Sequence, residues 1–428
     1  MKKMVGLVVI VFVIAWAVTG FAQTNLTVVR HPDNTLWEMT CDGISNCSAW
    51  TKIGGGFTQQ PTLMWDPTIQ KYILIGIGNN LSNIWRSTFN ADGTWNNDWL
   101  LIGTGATGSP SPVATAANFG YVSTVLVGPV GTATQNGTAL LNAMAGITTA
   151  SSTNPYLLKI EPGIYDIGTS SLQMKQYVDV EGSGENTTVI TGHIDSNTSG
   201  VLQGASHAEI RFLTVQNTGG GTYAIAIYNT SASPKITNVT ASASGGGVVH
   251  TGVHNEGVYN ESSSSPTMTN VTISASGATT NYGVLNYSSS PTMTNGTISA
   301  SGGGGSANYG VFNNISNSTM TNGTVTASGG TSSINNGVWN HSSSPTMTNV
   351  TISASGTTTY GVASDGSGTI MINNSVIIGL TMTIYNDINT TTRVGNSKLA
   401  GGPVSTSGTT TCAGVYDENY TFYASTCP

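Results

Sequence analysis

The sequence predicts an all-β chain wound as a parallel β-helix, and three observations carry that expectation. The phrase "SSSPTMTN" stands at 263–270 and returns at 288–295 and 342–349, with a worn copy, "NISNSTMTN", at 314–322. Val258, Val284, Val311, Val338 and Val362 recur every 24 to 27 residues, with Asn260, Asn286, Asn313, Asn340 and then Ser364 two positions after them. Between these registers lie loops such as "ASGATTN" and "ASGGGGSAN", which vary in length and chemistry. Constancy within a coil and variation between coils are what stacking predicts. Composition alone leaves a disordered polar chain open, because only 7% of the 428 residues are charged against about 25% in ordinary soluble domains. A disordered tract has no registered Val columns. With 12 Lys and Arg against 19 Asp and Glu, the chain lacks the basic surface that nucleic-acid phosphates require.

Residues 1–22 carry Lys2 and Lys3, an apolar run, and Gly20-Phe21-Ala22 at the end. This is the pattern of a signal peptide, and it predicts a product that is secreted or held at the outer cell surface, with no membrane-spanning helix after its removal. Export suits disulfides. The two sequence-local pairs, Cys41 with Cys47 and Cys412 with Cys427, are favoured among the three pairings four cysteines allow.

Residues 23–102 form a separate Trp-marked β module. Trp37 is echoed by Trp85 and Trp50 by Trp99, 48 and 49 residues on, while "KYILIGIG" reads as a strand. These echoes resemble fragments of lectin-like and sialidase-like propeller repeats, whose blades have such a period. Trp37, Trp50, Trp85 and Trp99 are the binding candidates, by stacking on sugar faces; filling the interior between small sheets is the competing reading. Residues 103–119 read as a linker.

The solenoid is expected over 120–400. Leu140, Leu141, Met144 and Ile147 make one apolar helical stripe, so a helix near 138–147 is read as a cap on the first coil. The strands that follow, "YLLKIEPGIYDI…VDVEGSGENTTVITG" (156–192), resemble the opening coils of the pectin-lyase-like superfamily, and the pectin methylesterases within it most closely. The resemblance implies a right-handed, single-stranded parallel β-helix. The later "SSSPTMTN…NYGVxN" coils resemble exported bacterial repeat proteins without an assigned activity.

Within a coil, Val271 and Ile273 share a strand face, whereas Met268 lies three residues before Val271 and out of phase. A corner at Thr269-Asn270 restores Met268 to the interior, and Asn tolerates the backbone angles of such a corner. Asn238, Asn270, Asn295, Asn322 and Asn349 share this slot and are predicted to form an inner amide ladder. Residues 401–428, bracketed by Cys412 and Cys427, are expected to cap the far end.

The superfamily's enzymes imply clustered carboxylates with an Arg or Lys, so that acid, base and charge stabiliser converge. Between 201 and 401 the acids are Glu209, Glu256, Glu261, Asp365 and Asp387, and the bases Arg211, Lys235, Arg393 and Lys398. The weak catalytic candidates are Glu209, Arg211, Lys235 and Glu256, with Glu209 and Arg211 also explained as a surface ion pair on one strand face. Asp179 and Glu181 invite calcium, but no metal site is assigned; His250 and His254 lack a third ligand, and no cofactor is called for. The sequence therefore favours an exported structural or binding protein, carbohydrate-binding or adhesive, over an enzyme. The alternative is a pectate-lyase-like or pectin-methylesterase-like polysaccharide-modifying enzyme whose cluster lies in the first coils. A third reading, an ice-binding surface, rests on the Thr-x-Thr pairs of "TMTN", and the corner at Asn counts against it.

Overall fold

A computed structural model of the protein describes residues 25–30, 35–42, 46–49, 51–55, 62–66, 71–77, 84–90, 94–103, 121–219, 221–245, 254–302, 307–329, 334–405 and 407–428. The expected leader, residues 104–119 of the expected linker, Trp50, His250 and the side chains of Cys41, Cys47 and His254 lie outside them. The chain divides into two compact units, Met1–Phe119 and Gly120–Pro428.

The first unit holds two antiparallel sheets. One combines Asn25–Arg30, Thr35–Asp42, Asn46–Cys47 and Thr51–Gly55; the other runs through Thr62–Asp66, Lys71–Ile77, Ile84–Asn90 and Leu100–Gly103 in sequence order. Leu36, Ile53, Leu74 and Phe89 form its core, and Trp85, Trp95 and Trp99 pack against them.

The second unit is a right-handed, single-stranded parallel β-helix. It opens with the strand Ser123–Val127 and the helix Ala133–Gly146. The helix begins five residues before the expected start at 138, because Thr132 and Gln135 form a capping box: Gln135 N donates to Thr132 Oγ1 and Thr132 N to Gln135 Oε1. Leu140, Met144 and Ile147 join the apolar core of the first coils. Gly137 is fixed by close approach, since a Cβ there would lie 1.9 Å from the Asp166 carbonyl oxygen.

Each repeat coil has three parts. The first is a strand such as Thr280–Tyr287, one of nine parallel strands in a sheet running from Leu172–Gln173 to Met382–Asn386. Next comes a short strand such as Thr292–Thr294, with Met293 inside, and last Thr297–Gly302, with Ile298 and Ala300 inside. Asn295 joins the last two with φ 56°, and Asn238, Asn270, Asn322 and Asn349 do the same at φ 52–58°. The register holds residue for residue: Val284 pairs with Val311, Met293 with Met320 and Ile298 with Val325. The Gly of "YGV" is also required, because a Cβ on Gly283 would lie 2.5 Å from both the Gly310 carbonyl oxygen and Ile298 Cγ2.

The serines of the repeated phrase stitch coils together. Ser316 Oγ accepts from Ser289 N at 3.0 Å and Ser343 Oγ from Ser316 N at 2.9 Å, all three buried. The corner asparagines do not line the interior, which corrects that expectation. In the left-handed conformation the corner turns the side chain outward, and Asn270, Asn295, Asn322 and Asn349 are exposed. On that outer edge Asn270 donates to Asn238 at 3.0 Å, Asn295 to Asn270 at 2.9 Å and Asn349 to Asn322 at 2.7 Å. The buried ladder is the second register. Asn229 donates to Asn260, Asn260 to Asn286, Asn286 to Asn313 and Asn313 to Asn340 at 2.8–2.9 Å, every one at most 1% exposed. Asn281, Asn308 and Asn335 make another at 2.9 and 2.8 Å.

Asn286→Ala strands the Asn260 donor and the Asn313 acceptor in the core and is expected to cost about 2–4 kcal/mol. Asn295→Ala, at the exposed corner, should cost under about 1 kcal/mol. Urea titrations of both variants check the difference.

The coils continue past the expected boundary at 400. Thr409–Ala413 still pairs in parallel with Thr390–Gly395, and Val415–Tyr416 pairs antiparallel with Phe422–Tyr423 beside the Cys412–Cys427 disulfide.

Candidate functional site

Charge is concentrated where the first coils stack. Lys159 sits beside Glu181 and Glu181 beside Arg211 in one column; Glu209 sits beside Lys235 in the next. Alternating signs across strand pairs attract, and the alternation extends over four coils. Tyr121, just before the first strand, reaches the same place.

Arg211 is the centre. Its side chain is only 4% exposed, so it is not part of a surface ion pair as the sequence implied. Nε and Nη2 both contact Glu181 Oε2, at 2.8 and 2.7 Å; Nη1 reaches Glu209 Oε2 at 3.0 Å and Asp179 Oδ2 at 3.4 Å. Nη2 donates to the Tyr121 hydroxyl at 3.1 Å, and that hydroxyl donates to Asp179. Lys159 closes on Glu181 at 2.6 Å, and Lys235, 58% exposed, on Glu209 at 3.1 Å. Asp179 Oδ1 also accepts from Glu209 N at 2.7 Å.

Burial works against the charge on Arg211, but its bonds to Tyr121 and Glu181 outweigh that and push its pKa up. It is therefore a fixed cation, not a base. Burial likewise opposes the Glu181 carboxylate, and Lys159 and Arg211 overcome it, holding its pKa below the usual range. Burial and the Asp179 acceptor push the Tyr121 phenol above its ordinary pKa, so it keeps its proton. The arrangement is a protonated phenol between a carboxylate and a guanidinium, with two lysines at the rim.

Of the four weak candidates, Glu209, Arg211 and Lys235 meet here and Glu256 does not. Glu256 belongs to the nine-stranded sheet, in register between Ile225 and Tyr282, and is 3% exposed. Burial pushes its carboxyl up to about 8. Asp179 and Glu181, proposed for calcium, face cations instead. Among the described residues no group of three or more His, Cys, Asp or Glu is placed to hold a metal ion. Nor is any helix among them long and apolar enough to cross a membrane.

The sequence missed Tyr121, which stands 90 residues before Arg211. It also missed the aromatic run on the nine-stranded sheet. There Tyr282 stacks on Tyr309 at 5.1 Å, and Trp339 lies 5.2 Å from Tyr309 and 5.9 Å from Phe312. The signal was present, because these rings recur in the "NYGVxN" register. In the front unit, Trp85 and Trp99 are half-buried against the core, and the Trp37 indole donates to Thr35 at 2.8 Å.

No protein-family model matches this chain, and no curated protein does. Among solved structures, the A-module of an Azotobacter vinelandii mannuronan C-5 epimerase, AlgE4, is 15% identical over 66% of this chain and 87% of its own, with a TM-score of 0.42. The pectate lyase Pel9A is 13% identical over 69% and 78%, with a TM-score of 0.40. A pectin methylesterase from carrot is 13% identical over 64% and 82%, with a TM-score of 0.39. The protein is a right-handed parallel β-solenoid. By their own descriptions these three are an epimerase, a lyase and an esterase, and the sequence-based preference for a protein without enzymatic activity is not upheld.

Proposed function

We propose that the solenoid modifies an acidic polysaccharide outside the cell, using Tyr121, Asp179 and Arg211. The observation that carries this reading is the Tyr121 hydroxyl, held between the Asp179 carboxylate and the Arg211 guanidinium. Proton transfer at a sugar needs a donor, an acceptor and a fixed positive charge within hydrogen-bond reach. Tyr121 is the donor, Asp179 the acceptor, and Arg211 the charge that steadies a developing anion. Lys159 and Lys235 flank the group and would pair with the carboxylates of a uronate chain. The leader-like segment at 1–22 supports export.

The test incubates the full exported chain with pectate, methylated pectin and alginate. Unsaturated product, released methanol and inverted sugar centres are followed in parallel. Turnover of one substrate is expected, and Tyr121→Phe and Asp179→Asn should each lower it by about 10²–10⁴-fold without loss of the folded state. Inactivity on all three substrates, or full activity of Tyr121→Phe, sinks the reading.

A further inference from the structure

The Thr-x-Thr pairs take no part in the charged cluster or the aromatic run. Thr267 and Thr269 pair with Thr292 and Thr294, these with Thr319 and Thr321, and these with Thr346 and Thr348. The methionine between each pair is at most 2% exposed, so both threonines of every pair project from the outer face. The result is a grid of two columns and four rows, with neighbours about 4.8 Å apart between coils and about 6.6 Å apart along each strand. Its register has no shift, and no hydrogen bond within the protein engages these eight hydroxyls among the described residues. No charge or ring interrupts the grid. It ends at Lys235 and Thr237 on one side and at Met371 and Asn373 on the other. The corner that bends each chain at Asn270, Asn295, Asn322 and Asn349 lies beyond the second threonine, so it leaves the pairs on one sheet.

We propose that this threonine grid is an ice-binding face. Each threonine offers a hydroxyl that holds a water and a methyl that sheds one. A rigid array of such groups fixes first-layer water at two regular spacings of the order of those between oxygens in the ice lattice. Because the array is held from beneath by the buried methionines, little ordering cost remains when that layer joins a crystal. A polysaccharide is less suited to this face, which has neither rings for stacking nor charge for uronates.

The full chain is tested by its effect on single ice crystals and by thermal hysteresis, with ice itself as the probe. Wild type is expected to facet the crystals and to separate freezing from melting. Thr321→Tyr, in the middle of the grid, should reduce hysteresis by about an order of magnitude. Thr297→Tyr, exposed on the strand past the corner, should leave it unchanged while both variants melt like wild type. Thr292→Tyr, at a more exposed grid position, replaces Thr321→Tyr should the latter fail to fold. Folded wild type without any effect on ice overturns the proposal, as does equal loss in Thr297→Tyr. It is overturned too if grid substitutions alter self-association or retention on cellulose or chitin and leave ice untouched.

Discussion

Between about pH 4.5 and pH 8 the solenoid is expected to lose stability steadily as pH rises, and Glu256 is the cause. Burial raises its pKa in the folded state from 4.5 to about 8. Over that interval the folded protein keeps a proton that the unfolded chain has released. Stability therefore falls with rising pH, is complete below 4.5, and has lost the whole contribution above 8. The gap corresponds to roughly 5 kcal/mol, a large share of what holds a domain together. The neighbouring phenols do not blur the window: burial pushes both Tyr259 and Tyr282 above their ordinary pKa, with the Glu256 charge adding to it, so neither titrates there. Denaturant unfolding of wild type and Glu256→Gln from pH 4 to pH 9 checks this. The Gln variant should lack the decline and exceed wild type at pH 9; parallel curves would contradict the assignment.

Arg211→Met is expected to cost about 3–5 kcal/mol, because it leaves Asp179, Glu181 and Glu209 facing one another without their shared cation. Arg211→Lys should recover little, since one ammonium cannot reproduce contacts from Nε, Nη1 and Nη2. Adding Glu181→Gln to Arg211→Met removes one of the stranded charges and should restore part of the loss. Urea midpoints of the three variants read this directly. A surface pair would be worth at most about 1 kcal/mol, so a loss that small would show that the cluster is solvated.

The Val, Met and Ile columns were legible because alternation and coil spacing act together, and so was the corner at Asn. Which amides are buried is legible too. Asn260 lies two residues after Val258 on one strand, so an inward valine brings the asparagine inward with it. The corner asparagine follows a change of backbone direction, and alternation says nothing about a residue with positive φ. Glu256 falls in with Glu209 and Arg211 because Lys235 and then Glu256 follow them at steps of about one coil. Chain separation does not distinguish the sheets of a coil, and Glu256 belongs to a different one. Tyr121 was out of reach for a plainer reason: its contacts depend on where the first strand enters, which no repeat specifies.

The long buried amide column and the corner column have opposite polarity. In the buried one each asparagine donates toward the C-terminal coil, from Asn229 through Asn340, and the run closes with Asn340 donating to the Ser364 hydroxyl at 3.3 Å. At the corner the direction reverses, with Asn270 donating back to Asn238 and Asn349 back to Asn322. The side-chain dipoles of these two rows thus point in opposite senses along one axis, while the second buried row, from Asn281 through Asn335, runs with the first. A whole coil duplicated within the run would accept from one neighbour and donate to the other in each row. The protein can therefore change its number of turns in single units, with no new chemistry at the joints.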